Sequence, residues 1–274
     1  MMHSQVNNSR LLFLKLGGSL ITDKSRPHTV RFQVLTRLAN EIHNAKKEKP
    51  DLHLVIGHGS GSFGHVPAKK YGTRQGVRTE TGWQGFVDVW REAAALNHHV
   101  TKTLSETGLL AIAMPPSGSV VAYDGEISSW DLSPIISALE AGLLPVIYGD
   151  VVFDKIRGGT ILSTEDLFTY LANQLTPSRI LLAGREPGVW SDYPESEILL
   201  TDISAHNIAQ INPFLEGSSN TDVTGGMASK VQQSLELVQR TPGLEISIFS
   251  GESPGVVQRA LLGVREGTTI HNRD

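Results

Sequence analysis

The chain of 274 residues carries 24 Lys and Arg against 28 Asp and Glu, a net charge of −4, which excludes the basic footprint of a nucleic-acid binder and the basic face of a membrane-docking helix. An apolar fraction of 39%, with 27 glycines besides, excludes disorder and collagen-like repeats. Without cysteine there is no disulfide, thiolate metal site or thiol nucleophile; no apolar run approaches about 18 residues and the start is polar, so the expectation is a cytoplasmic protein acting on a small molecule.

In chain order, Leu11–Leu16 predicts a buried strand broken by one lysine and ended by Gly17-Gly18, with a helix to follow. From Phe32 the residues Val34, Leu35, Leu38, Ala39, Ile42 and Ala45 fall at helical spacing, and Lys46, Lys47 and Lys49 suit the negative end of that helix. Leu52–Ile56 predicts a second strand running into the glycines of residues 57–64. His65-Val66-Pro67 and the polar stretch Lys69 to Thr81 delay the next helical pattern to about Trp83, after which Phe86, Trp90, Ala93, Asn97, Val100 and Leu104 mark one long helix. Strands are predicted at Ala111–Met114 and Leu144–Tyr148, with a helix between them from Ser133-Pro134 to Gly142. Val151–Phe153 and Thr160–Leu162 predict a hairpin, and Thr164-Glu165-Asp166 opens a helix to Gln174 with acids in its first turn. Strands at Ile180–Ala183 and Glu245–Phe249 and helices near Gly226–Arg240 and Pro254–Leu262 follow, while residues 186–197 are expected to be the least ordered. Such alternation predicts an α/β fold with a mostly parallel sheet covered on both faces.

Glycine clusters at Gly17-Gly18-Ser19, from Gly57 to Gly64, and at Gly225-Gly226. The first two end predicted strands, and ligand crevices of open α/β sheets lie at that carboxyl edge. A missing Cβ allows close approach, and unpaired amides at a helix start favour an anion. One such cluster is equally an ordinary tight turn; three, two of them beside lysines, point to phosphate. Gly59-Ser60-Gly61-Ser62-Phe63-Gly64 also fits the dinucleotide pattern G-x-G-x-x-G with Glu80 downstream, but that turn opens straight into a helix, which the delayed helical pattern argues against. The sequence has no P-loop motif.

Lys15 precedes the first glycine cluster, Lys24 lies six residues after it, and Lys230 stands one helical turn beyond Gly226. Phosphoryl transfer needs cations over the moving charge. Lys15 interrupts a buried strand, where an unpaired ammonium is costly. Lys24 and Lys230 suit solvated surface as well as a site.

Together, Lys15-Leu16-Gly17-Gly18-Ser19 with Lys24, Gly57 to His65, Ile147-Tyr148-Gly149-Asp150, Ser163 to Asp166, and Asp222 to Lys230 resemble the amino-acid kinase superfamily. Ser62-Phe63-Gly64-His65 followed by Ala68-Lys69-Lys70-Tyr71 resembles its isopentenyl phosphate kinase branch. The resemblance runs from Leu11 to Ile270. It implies a three-layer αβα sandwich about a mostly parallel sheet, a single domain over residues 1–274 whose residues from about 11 to 160 bind the acceptor and from about 161 to 274 the nucleotide, and a homodimer. The implied reaction is phosphorylation of isopentenyl phosphate by ATP with Mg²⁺. Carried over by position, Lys15 meets the transferring phosphoryl group, Lys24 stabilises the transition state, His65 binds the acceptor phosphate and Asp150 orients the lysines. Lys15, Gly17, Gly18, Ser19, Gly61, Gly184, Gly226 and Lys230 fall on the ATP side; Ser60, Gly64, His65 and Thr164 fall on the acceptor side. No residue is implied as a metal ligand.

An acceptor monophosphate has a second pKa of about 6, so it arrives largely dianionic and needs no general base; the barrier is repulsion between two anions. His58 either joins the site or braces its loop, and Trp83, Phe86, Val89 and Trp90 either line a pocket for a five-carbon tail or pack the core. The chain departs from the family pattern at Ser60 and Thr164, where glycine is usual, and at Ala183 to Trp190, where an acidic Thr-Asp-x-Asp-Gly-Val-Tyr type segment is usual. Other readings stay open: a kinase for another small phosphate or phosphonate such as fosfomycin, a nucleotide-binding regulator without turnover, and an NAD-dependent oxidoreductase.

Overall fold

The computed structural model describes residues 10–191, 195, 197–204, 207–208 and 226–272; Asp222 to Gly225 of the last glycine motif, and residues 192–194 and 196 of the stretch expected to be least ordered, lie outside them. The chain runs β1 (Leu11–Leu16), a single turn α1 (Gly18–Ile21), α2 (Phe32–Glu48), β2 (His53–His58), α3 (Gly61–Tyr71), α4 (Glu80–Glu106), β3 (Ala111–Ala113), β4 (Val120–Tyr123), β5 (Glu126–Trp130), α5 (Ser133–Glu140) and β6 (Leu144–Tyr148). It continues through β7 (Asp150–Asp154), β8 (Gly158–Leu162), α6 (Thr164–Leu175), β9 (Arg179–Gly184), β10 (Val189–Trp190), β11 (Leu199–Leu200), β12 (Asp202–Ser204), α7 (Gly226–Arg240), β13 (Glu245–Ser250), α8 (Val256–Leu262) and β14 (Thr268–His271).

The main sheet has the strand order β12-β14-β13-β9-β1-β2-β6-β3, parallel throughout except for β13 with β14. β1 lies near its middle, buried on both faces, which is why it reads as one apolar run. Strand alternation sends Leu11 and Phe13 into the core under α6 and α7, and Leu12, Leu14 and Leu16 into the core under α2, α4 and α8. The result is the expected three-layer αβα sandwich. Among the described residues, no helix is long and apolar enough to cross a membrane.

Besides the short strands β10, β11 and β12 and the closing strand β14, which were not expected, two features differ from the sequence expectation. The predicted hairpin of β7 and β8 belongs to a second sheet, β5-β4-β7-β8, whose β4 and β5 were not expected. Their two-residue Asp124-Gly125 turn, with φ of 50° and 89°, is a strong hairpin signal that the polar Ser128-Ser129 pair obscures. Asp154 fastens both hairpin turns, accepting from the N–H groups of Asp124 (3.1 Å), Gly125 (2.7 Å), Ile156 (2.8 Å) and Arg157 (2.7 Å). The second difference is α3. The sequence predicts no helix directly after the glycine loop, yet α3 opens at Gly61 and continues through Pro67. A proline inside a helix costs about 3 kcal/mol in lost bonding and clash. Packing outweighs it: Phe63 is buried, and α4 crosses α3 so closely that a β-carbon on Gly85 would stand 2.7 Å from Tyr71 Cδ2.

Candidate active site

Gly17, Gly59, Gly149 and Gly251 follow β1, β2, β6 and β13, and Gly184 ends β9, so neighbouring strands β13-β9-β1-β2-β6 all finish in glycine. Their backbones join across the edge: Gly251 N–H donates to Gly184 O (2.9 Å), Gly17 to Ala183 O (2.8 Å), Gly59 to Leu16 O (3.2 Å) and Gly149 to His58 O (3.4 Å). The first two loops touch backbone to backbone, since a β-carbon on Gly18 would lie 2.7 Å from Gly61 Cα. Gly61 itself has φ 50° and faces Thr22. At Gly184 a β-carbon would meet no atom of the described residues within 4 Å.

Charge gathers beneath this edge. Lys15 pairs in register with Gly57, where α6 sits directly on β2: a β-carbon there would be 2.5 Å from Thr164 Cγ2 and 2.7 Å from Phe168 Cζ. This brings the first turn of α6 to Lys15, whose ammonium donates to Glu165, both side chains being 13% exposed. Burial pushes the Glu165 carboxyl up, but the charges of Lys15 and Lys230 and the Lys15 hydrogen bond overcome it and hold it below the usual value. Glu165 and Lys230 line a crevice between α6 and α7 with Phe168, Ile180, Leu182 and Ile246. Glu165 was not singled out from the sequence, because two acids in a helix's first turn suit the dipole equally. The structure separates them: Asp166 closes a capping box with Ser163 and receives Arg74 (3.2 Å), and Glu165 goes to Lys15.

The other residues singled out from the sequence are carried by loops and helices of the same fold. Gly17, Gly18 and Ser19 form the turn from β1 into α1, and Gly226 starts α7, placing Lys230 one turn on. Ser60 precedes α3 and packs against Gly64. His65 lies on the backbone of α3, its side chain outside the described residues. Lys24 is exposed on the loop between α1 and α2, closed at its base by a Thr22–Val30 bridge, Asp23 N–H to Thr29 O (2.9 Å) and Arg31 N–H to Ile21 O (2.8 Å).

Residues 10–250 match the amino acid kinase family. The chain belongs to that family. It is 35% identical over 269 residues to an isopentenyl phosphate kinase of Methanocaldococcus jannaschii, covering 95% of this chain and 98% of the relative. It is 36% identical over 272 residues to that of Methanothermobacter thermautotrophicus, again 95% and 98%. A solved isopentenyl phosphate kinase structure superposes with a TM-score of 0.79 at 32% identity, covering 95% of this chain and 99% of that one.

In this kinase, the glycine loop after β2 rests on buried polar groups. His58 is fully buried, its Nδ1 3.2 Å from Gly59 O and its Nε2 3.2 Å from the Asn97 side-chain amide, with its ring stacked 5.3 Å from Tyr148. Burial, helped by the Lys15 charge, outweighs both hydrogen bonds and lowers its pKa to about 4. Gly59 O and Asn97 Oδ1 only accept and a neutral imidazole carries one N–H, so His58 donates to one of these two oxygens. Thr164 is buried and donates its hydroxyl to His58 O (2.7 Å), so that hydroxyl braces the loop. Asp150, expected to orient the lysines, is fully buried and accepts from Val151 N–H (2.8 Å); burial raises its pKa to about 6, against the hydrogen bonds of Ser117 and Val151. The described carboxylate on Lys15 is that of Glu165. Phe86 and Val89 are buried with Val77 and Val151 in a small cluster apart from the main cores, whereas Trp83 and Trp90 are exposed.

Proposed function

We propose that the chain transfers the γ-phosphoryl group of ATP to isopentenyl phosphate, forming isopentenyl diphosphate and ADP. The observation that carries this reading is the Lys15–Glu165–Lys230 cluster at a glycine-lined sheet edge, in a chain similar to isopentenyl phosphate kinases along nearly its whole length. An oxygen of the acceptor phosphate attacks the γ-phosphorus as the bond to the β-phosphate oxygen breaks. The dianionic acceptor needs no base, so the protein's task is positioning and charge neutralisation. Lys15 and Lys230 supply positive charge, and Glu165 holds the Lys15 ammonium in place. Lys24 on its loop and His65 on α3 serve the acceptor side, so residues from about 11 to 160 hold the acceptor and those from about 161 to 274 the nucleotide.

Gly184, where a β-carbon would meet no described atom within 4 Å, and the ammonium groups of Lys15 and Lys230 about Glu165 suit the phosphates of ATP. Among the described residues, no three His, Cys, Asp or Glu side chains are grouped to hold a metal ion. Mg²⁺ bound with the nucleotide would supply further neutralisation of phosphate charge beside Lys15 and Lys230. Of the four residues considered for a five-carbon tail, Phe86 and Val89 are packed as core with Val77 and Val151, which leaves the exposed Trp83 and Trp90 as the ones able to meet it.

Phosphorus NMR of the protein with ATP, Mg²⁺ and isopentenyl phosphate tests the reading: a pair of diphosphate doublets is expected. Turnover of another small phosphate or phosphonate in a kcat/KM panel, with none of isopentenyl phosphate, overturns it.

A further inference from the structure

The loop that carries Lys24 is polar from Asp23 to Thr29 and has its base fastened as described, with Arg31 adding a two-pronged bond to Glu252 (2.7 and 3.0 Å). On its far side, described contacts to the rest of the chain converge on His28 and its neighbour. The His28 N–H donates to Ser62 O (3.3 Å), and Thr29 N–H donates to Ser62 Oγ (3.3 Å). The His28 ring stands edge-on to Phe63, with centroids 5.6 Å apart, and its Nδ1 is 2.6 Å from Glu92 Oε2. His28 also holds φ 51°, a left-handed conformation uncommon outside glycine that Asn, Asp and His adopt more readily than other residues.

Those partners belong to the acceptor side. Ser62 and Phe63 form the first turn of α3, just before Gly64 and His65, and Glu92 stands one turn beyond Val89 on α4. We infer that His28 is a positioning residue whose contacts with Glu92 and the Ser62-Phe63 turn set the place of the Lys24 ammonium relative to the acceptor phosphate. The inference rests on the role given to Lys24 under the proposed function. Lysine is a point charge on a flexible stem, so the place of its backbone governs where the charge falls, and small misplacements at a reacting centre are costly. The His28–Glu92 pair is partly exposed, so its loss gives a modest effect, about fivefold in kcat.

Steady-state kinetics, run with whichever acceptor the chain turns over, test this. His28→Ala and Glu92→Ala are each expected to lower kcat about fivefold with the KM for ATP unchanged. His28→Asn, which tolerates the left-handed backbone and keeps an N–H donor, is expected to recover most of the rate. Adding His28→Ala to Lys24→Ala is expected to cost nothing further, because His28 acts through Lys24. Unchanged kcat in His28→Ala, or losses that simply add in the double variant, overturns the inference alone. Normal kcat in Lys24→Ala overturns the role of Lys24 and this inference with it.

Discussion

An ammonium at position 15, in a strand otherwise built of leucine and phenylalanine, is held there by Glu165. Lys15 was visible in the sequence because it breaks an apolar run; its partner was not, since Glu165 and Asp166 look alike until packing divides their work. Glu165→Gln leaves Lys15 and Lys230 without the anion between them, and a drop in kcat of about 100-fold is expected, with the KM for ATP within a few-fold. Glu165→Asp keeps the charge on a shorter stem and should recover part of the rate. Rapid-quench or steady-state assays at saturating substrates check both, and near-normal kcat in Glu165→Gln would remove this carboxylate from the mechanism.

At the scale of elements, most strands and helices were readable because apolar periodicity and capping are local properties. The exceptions were α3, where Pro67 reads as a breaker, β4 with β5, where short polar segments hide the alternation, and the short strands β10, β11, β12 and β14. What holds α3 at Gly61 is the fit of that glycine against Gly18 and Thr22, with the Thr22 hydroxyl accepting from Ser62 N–H (2.9 Å). Gly61→Ala introduces both left-handed strain and a clash. It should cost about 3 kcal/mol in urea denaturation and raise the KM for the acceptor. Gly142→Ala is the control: φ is 75°, but a β-carbon there meets no atom of the described residues within 4 Å, so only the backbone cost of about 1 kcal/mol is expected.

For the whole molecule, stability against pH reports on the buried polar groups behind the site. His58 takes up a proton at about 4 in the folded chain against 6.5 ordinarily, so between these values the unfolded chain binds more protons. Stability is therefore lost as pH falls from 6.5 to 4, by an amount of order 3 kcal/mol. Asp150 acts in the opposite sense: with its folded value raised to about 6 from 3.8, it takes stability away as pH rises through that window. Urea melts at pH 7.5 and 4.5 should show that His58→Gln flattens the acid loss while Asp150→Asn steepens it. Equal pH dependence in all three proteins would show that neither group is buried as described.

The sequence by itself determined the order of strands and helices, the glycines at the strand ends and the oddity of Lys15. These follow from side-chain size and polarity acting on near neighbours along the chain. Only the tertiary structure decided which carboxylate meets Lys15, where α3 begins and what His28 touches. Lys15 and Glu165 are 150 residues apart, and a contact of that range exists only once two cores have packed on either face of one sheet.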